Sequence, residues 1–361
     1  MRLALLYHQF IKRGGLEGYL REFATQLKQR GHEIELVGSK FDPEFSSLAD
    51  KIHCIKPPPF LSGWMLKRFA ARSAELVPQL QCDITLGFGR TFKQDIHRAG
   101  GGCHKVYSRL LPERKRAGWK NQLELRLEEK LYTGGQTKHF VVNASRIAGE
   151  LETEYGVPPE RITVIHTGVD TNYYQPGDKT AARLQAAPQA DSRPVLLFVS
   201  LDHKRKGLPA LLQALGSLPD IQVWIVGAPV DAYWQQEIAR LGLTKRVTAF
   251  GKQSDLRPFY QAADVFVHPT LYDACANTVL QSMASGLPGI ISSHDGARDF
   301  VHHGQNGFLL SDPTSPEEIA HHVQQALGTR LGAAAREAML PLTWDFHVDQ
   351  WLNLINKVRS T

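Results

Sequence analysis

The sequence predicts an α/β protein of two Rossmann-like, doubly wound domains facing a cleft. Three observations predict it. Short apolar runs alternate with helical patterns over residues 3–165. The same alternation restarts at Val195. Between the two series, residues 175–193 are rich in Ala, Gln, Pro and Asp and carry no strong period, which reads as a linker. The domains expected are residues 1–174 and 175–345, with a closing helix at 346–361 expected to cross back onto the first domain.

The elements follow in order. Residues 3–7 form a short buried strand, Gly14-Gly15 a turn, and residues 16–30 a helix stopped by Gly31. Residues 33–37 are the next strand, which completes a βαβ opening. Further strands are expected at 84–87, 140–142 and 162–165, with a helix at 145–155 between the last two. In the second half, strands are expected at 195–199, 222–226, 246–250, 265–268, 289–292 and 308–310, with helices between them. Alternation of this kind implies parallel sheets, whose ligands sit at the carboxyl ends of the strands.

Composition bounds the function. A chain of 361 residues suggests two domains, and 42% hydrophobic residues are enough for two cores. A net charge of +6 favours anionic partners. Cys54, Cys82, Cys103 and Cys275 form no CxxC pair, so a zinc or redox site is not expected, and a reduced cytosol is the simplest compartment. The apolar run 3–6 ends at His8 and Gln9, shorter than the ~7–15 residues of a secretion signal, and no stretch nears the ~20 of a membrane span. No nucleic-acid motif is present.

Two segments of the second half carry chemistry. In 268–288 a strand ends at His268-Pro269, a loop carries Asp273, and a helix starts near Asn277 and ends at Gly286. Its first N–H groups, from Asn277 and Thr278, can face an anion. Gln281 lies one turn further on, so an acid, a helix N-terminus and an amide surround one pocket. In 198–208 another strand ends in Lys204-Arg205-Lys206-Gly207, three cations at a helix start. They repel the helix dipole, a cost that a bound diphosphate would offset. The bland alternatives are a helix-capping Asp and a solvated basic loop.

The segment 268–288 resembles the signature of the retaining family 4 glycosyltransferases of the GT-B fold, and especially lipopolysaccharide core glucosyltransferases. Asp273, seven residues, Gln281 and the closing Gly286-Leu287-Pro288 match its layout. The resemblance implies that Asp273 contacts the transferred sugar, Gln281 the ribose and Lys206 the diphosphate, with Lys204 or Arg205 substituting for an Arg that Leu201 replaces. Asp273 is shorter than the usual Glu, and Gln281 stands where the family has a second Glu. Gly14, Gly15 and Glu17 match the family's Gly-Gly-x-Glu, which makes Gly14 and Gly15 donor-binding candidates. His104, after the cluster Gly100-Gly101-Gly102, matches a histidine that serves the reaction centre in several members.

The activity implied is transfer of a hexose, with retention, from a nucleotide sugar, UDP-linked such as UDP-glucose, to a glycan or lipid-linked anionic acceptor. No metal or cofactor is expected, because no Asp-x-Asp pair is present. The basic segment 105–130, with Trp119, and residues 61–72, with Trp64, suit an anionic membrane surface, either alongside or instead of an acceptor phosphate. That places the protein in the cytoplasm, peripheral on the inner face of the membrane. A nucleotide-sugar epimerase and a nucleotide-sugar-binding protein with little catalysis are the rival readings, and nucleic acid is not an expected partner.

Overall fold

The protein is described from a computed structural model, and the described residues are all except 12–13, 57–64, 190 and 361. Contacts divide it into two compact units, Met1–Thr167 with Trp344–Thr361, and Gly168–Thr343. The boundary read at residue 174 therefore moves. Residues 168–174 are held inside the second unit, where Val169 N–H donates to Leu342 O (2.8 Å) and Arg336 donates to the carbonyls of Thr171 (3.2 Å) and Tyr174 (3.1 Å).

The first unit is built on a seven-stranded parallel sheet. Its spatial order is Lys51–Cys54, Glu33–Gly38, Arg2–Leu6, Ile84–Gly87, Gln94–Arg98, Thr137–Val142 and Ile162–Val164. The chain starts in the middle, winds outward one way, then returns and winds the other way. The order reverses between Arg2–Leu6 and Ile84–Gly87, so the crevice beyond their carboxyl ends is the place for a ligand. Strands 51–54 and 94–98 were not legible as strands. The second carries Gln94, His97 and Arg98, all buried despite their polarity.

Helices cover the central strands because each presents one apolar stripe. In Gly15–Gln29 the stripe is Tyr19, Leu20, Phe23, Ala24 and Leu27. The closing helix Trp344–Ser360 buries Val348, Trp351, Leu354, Ile355 and Val358 and packs on Gly15–Gln29, with Trp351 against Phe23 (ring centroids 5.3 Å apart). His347 fixes its start. Its Nδ1 donates to His166 O (2.6 Å), which leaves Nε2 to accept from the Tyr19 hydroxyl (2.9 Å).

The second unit is a six-stranded parallel sheet in the order Val247–Gly251, Gln222–Gly227, Val195–Ser200, Val265–His268, Gly289–Ser292 and Gly307–Leu310. All six of these strands begin and end within one residue of the sequence reading, because central parallel strands are continuous apolar runs. Val195–Ser200 and Gln222–Gly227 are buried along their whole length. The switch point lies between Val195–Ser200 and Val265–His268. The stretch read as an unpatterned linker contains a helix, Lys179–Ala186. Asp178 caps it by accepting from Ala181 N–H (3.0 Å), and Arg183 ties it to Ala262 O (3.0 Å) and Asp264 (2.7 Å). It is held through Arg183 and the single buried Ala182 rather than an apolar stripe, so no period marks it.

Burial pushes His347 down from 6.5 to about 3, and it does the same to His97, while His8 and His139 fall to about 4. Below the unfolded value the unfolded chain binds more protons, so stability falls as pH drops and the loss is complete near the native values. The urea midpoint should therefore fall between about pH 7 and about pH 5. His347→Gln should be less stable at neutral pH but show a shallower fall. An unchanged slope would remove His347 from that account.

Candidate functional site

The second unit's switch point gathers both segments that the sequence marked out. Leu271 N–H and the Thr270 hydroxyl donate to Arg205 O (2.8 and 3.3 Å), stitching the loop after Ser200 to the loop after His268. Gly207 makes this approach possible. It has φ +87°, and a Cβ there would lie 2.0 Å from Pro269 O. Across this seam the Lys206 ammonium pairs with Asp273 Oδ2 and reaches His268 Nε2 at 3.2 Å. Arg205 Nη1 donates to Tyr272 O (2.6 Å) and stands 3.6 Å from Asp273 Oδ2, while its Nε meets Asp202 (3.3 Å).

Asp273 is fixed through its backbone. Its N–H donates to His294 O (3.2 Å), and its carbonyl accepts from Gly296 N–H (3.1 Å). Beneath it Asp295 has no exposed surface. One carboxylate oxygen accepts from Ala276 N–H (3.0 Å) and Ala297 N–H (2.8 Å), and the other is 3.4 Å from His268 Nε2. Asp295 thus takes the N–H of the residue that precedes the helix Asn277–Ala284, which has no side-chain cap of its own. Asn277 and Thr278 open that helix, half-buried. Gln281 is half-buried too, and its Oε1 accepts from the Tyr260 hydroxyl (3.0 Å). Lys204 is exposed and outside this contact.

Burial, with Arg205 alongside, pushes Lys206 down from 10.5 to about 7, and Asp295 and Asp202 oppose that. Burial and the same two cations hold His268 well below its ordinary value, so it is neutral. His268, Asp273 and Asp295 each offer a ligand atom within 4.8 Å of the others, a spacing that suits a cation. The Lys206 ammonium already occupies that role.

In the first unit, Gly14 is the extended residue before the helix Gly15–Gln29, and both glycines are exposed. Glu17, from the same motif, accepts from the Tyr7 hydroxyl (3.1 Å). A cavity of about 440 Å³ opens at the switch point and is lined by Tyr7, His8, Phe88, Arg90, His97 and Arg98 among others. His104, expected at the reaction centre, is not among its lining residues. Its Nε2 meets Asn121 Oδ1 (2.8 Å) and its Nδ1 lies 3.5 Å from Glu124, so the ring is held within the fold. The histidines at the cavity are His8 and His97. The glycine cluster serves Arg98 instead, since a Cβ at Gly100 would lie 1.7 Å from Arg98 Nη1.

Sequence reasoning therefore missed His268 and Asp295 in one unit and His8, Arg90 and His97 in the other. The available signal was position. His8 and Arg90 lie two and three residues beyond the strands that flank the first switch point, and His268 ends a strand at the second.

The family model described as "Glycosyltransferase Family 4" matches residues 13–173, and that described as "Glycosyl transferases group 1" matches residues 193–329. The chain belongs to the family 4 glycosyltransferases of GT-B fold. It is 22% identical to the lipopolysaccharide glucosyltransferase WaaG of Escherichia coli K12 over 345 residues, 91% of this chain and 90% of WaaG. A solved structure of WaaG superposes with a TM-score of 0.80 at 19% identity, covering 99% of this chain and 98% of that one. The D-inositol 3-phosphate glycosyltransferase of Mycolicibacterium vanbaalenii is 30% identical over 232 residues, 59% of this chain. The chain spans about half of that relative's length, 51%. Anabaena Alr3699/HepE, solved in complex with UDP-glucose, superposes with a TM-score of 0.76 at 19% identity, covering all of this chain and 99% of its own.

The glycosyltransferase's loop seam depends on Gly207. Gly207→Ala should lower stability by about 2 kcal/mol or more, since it combines a left-handed φ with a backbone clash. Urea unfolding would measure this, and a loss below about 0.5 kcal/mol would show that the seam yields easily.

Proposed function

We propose that this glycosyltransferase moves a hexose, with retention, from a UDP-linked sugar such as UDP-glucose to a lipid-linked anionic glycan in lipopolysaccharide core assembly. The single observation that carries the donor half is the pairing of Lys206 with Asp273 at the switch point of the second unit. An ammonium, a guanidinium and an uncapped helix start converge there, donors suited to a leaving diphosphate. On this reading the diphosphate draws Lys206 and Arg205 toward itself, and Asp273, released from Lys206, accepts a hydrogen bond from a hydroxyl of the transferred sugar. The acceptor hydroxyl bonds to the anomeric carbon on the face from which the UDP leaves, and a phosphate oxygen of the departing UDP takes its proton. The UDP and UDP-glucose complexes of HepE support the donor class, and the likeness to WaaG supports the pathway.

The acceptor half draws support from the surface of the basic segment. Arg114, Lys115, Arg116 and Lys120 are exposed, with Trp119 62% exposed beside them. Cations interleaved with an exposed indole suit an anionic bilayer at the cytoplasmic face. Lys105 and Arg109 belong to the fold instead, paired with Glu154. Of the second candidate patch, residues 61–64 lie outside the described residues. Among the described residues no helix is long and apolar enough to cross a membrane.

Sugar transfer from UDP-glucose, followed with labelled donor, tests the donor half. Lys206→Ala should lower kcat/KM by about 100-fold or more. Donor affinity should weaken as pH rises through about 7, where Lys206 loses its charge in the free enzyme, and Lys206→Arg should abolish that dependence. Activity indifferent to Lys206 would reject the assignment. For the membrane, co-sedimentation with vesicles containing anionic lipid should exceed that with neutral vesicles. Replacing Arg114, Lys115 and Arg116 by Ser should reduce it several-fold.

A further inference from the structure

The cavity of the first unit holds groups that the donor chemistry leaves unused. Its volume of about 440 Å³ falls inside the ~300–1,000 Å³ range of small-ligand sites. Phe88, Leu16 and Leu123 give it an apolar wall on which a sugar ring can lie. Opposite in character are His8 and His97. His97 is 2% exposed, and the Nδ1 atoms of both rings are enclosed without a hydrogen-bond partner among the described residues. Burial keeps both imidazoles neutral, so each presents one donor and one acceptor, the pairing that a hydroxyl can satisfy. An unpaired buried polar atom is unfavourable, and a bound hydroxyl would relieve it.

The charges along the wall are unequal. Arg90, Arg98 and Lys120 face one carboxylate, Glu124. Arg98 is taken up by the Thr167 hydroxyl (3.0 Å) and the Tyr19 ring (3.7 Å to the centroid), and Glu124 lies against His104. Arg90 meets Glu128 at 3.2 Å, but Glu128 already accepts from His104 N–H, Lys105 N–H and the Tyr155 hydroxyl. The guanidinium therefore keeps donors in reserve. Lys120 is exposed and has no ion pair among the described residues.

We propose that this cavity seats an acidic monosaccharide unit of the acceptor, one bearing phosphate or carboxylate. Its hydroxyls meet His8 and His97, and its acid group meets Arg90 and Lys120. The inference rests on the transferase reading and deepens it by naming what the acceptor presents.

Titration calorimetry on the full chain tests it with glucose 6-phosphate, glucuronate, glucose, inorganic phosphate and, in parallel, UDP-glucose. At least one sugar acid should bind about tenfold more tightly than both glucose and inorganic phosphate, as a charge-assisted contact added to hydroxyl contacts requires. Comparing the two acids tells phosphate from carboxylate. Arg90→Gln and Lys120→Ala should each weaken the sugar acid several-fold and leave glucose and UDP-glucose unchanged. Lys120 is solvent-exposed, so its variant stays informative if Arg90→Gln misfolds. Equal binding of glucose and the sugar acids, no binding of either acid, or indifference to both variants would overturn the inference. Loss of UDP-glucose binding alone, with sugar-acid binding intact, would instead overturn the donor reading and leave the cavity's ligand class standing.

Discussion

Asp295 carries a carboxylate with no access to water, and the site around it is arranged to make that tolerable. A buried charge survives only when hydrogen bonds and an opposite charge replace its hydration. Two N–H groups from separate turns, Ala276 and Ala297, supply the hydrogen bonds. Lys206 and Arg205 supply the positive charge within the same cluster. Satisfying Asp295 therefore fixes the start of the helix Asn277–Ala284, the loop of Asp273 and the depth to which Lys206 inserts. With His268 neutral and Lys206 protonated, as it is below about pH 7, two cations meet two carboxylates, and the cluster is close to electrically balanced without ligand. On the proposed reading an arriving diphosphate breaks that balance by drawing Lys206 from Asp273, so donor binding and release of the sugar-binding carboxylate are one event.

The first unit uses a carboxylate in the same way. Glu128 is fully buried in the helix Trp119–Thr133, and it accepts from the first two N–H groups of the helix His104–Ser108. The pairing with Arg90 completes its neutralisation and holds that guanidinium at the cavity. In composition this segment reads as a run of lysines and arginines around a few acids. One of those acids is the structural centre, and the exposed cations surround it at a distance.

Much of the fold was legible because doubly wound sheets write their central strands as uninterrupted apolar runs. Residues 84–87, 265–268 and 289–292 were read with the bounds the structure shows. Polar strands were hidden for a physical reason. Gln94–Arg98 buries the polar side chains of Gln94, His97 and Arg98, the last two at the cavity, and so lacks the apolar run that would have marked a strand. At the second switch point the residue types were legible but not their sorting. Three successive cations are equivalent in sequence. In the structure Lys204 is solvated, Arg205 braces Tyr272 O, and Lys206 has a side chain 12% exposed, held by Asp273. Asp295 gave no signal, because nothing in its neighbours marks an acid that will be sealed beneath a distant loop.

His97 and His104 show where such reading stops. Both flank the same glycines, and a histidine beside glycines suggests freedom to meet a substrate. Yet Gly100 is small in order to admit Arg98, and His104 begins a helix whose N–H groups Glu128 has claimed, with its own ring against Asn121. His97 lies in the strand beside Ile84–Gly87, next to the switch point, so the sheet order carries it to the cavity. Which histidine reaches the cavity is decided by strand order, a property of pairings between distant residues that local spacing does not contain. The same holds for Lys206 and Asp273, which lie far apart in sequence. They meet because the two strands that precede them are neighbours at the one point where the winding reverses.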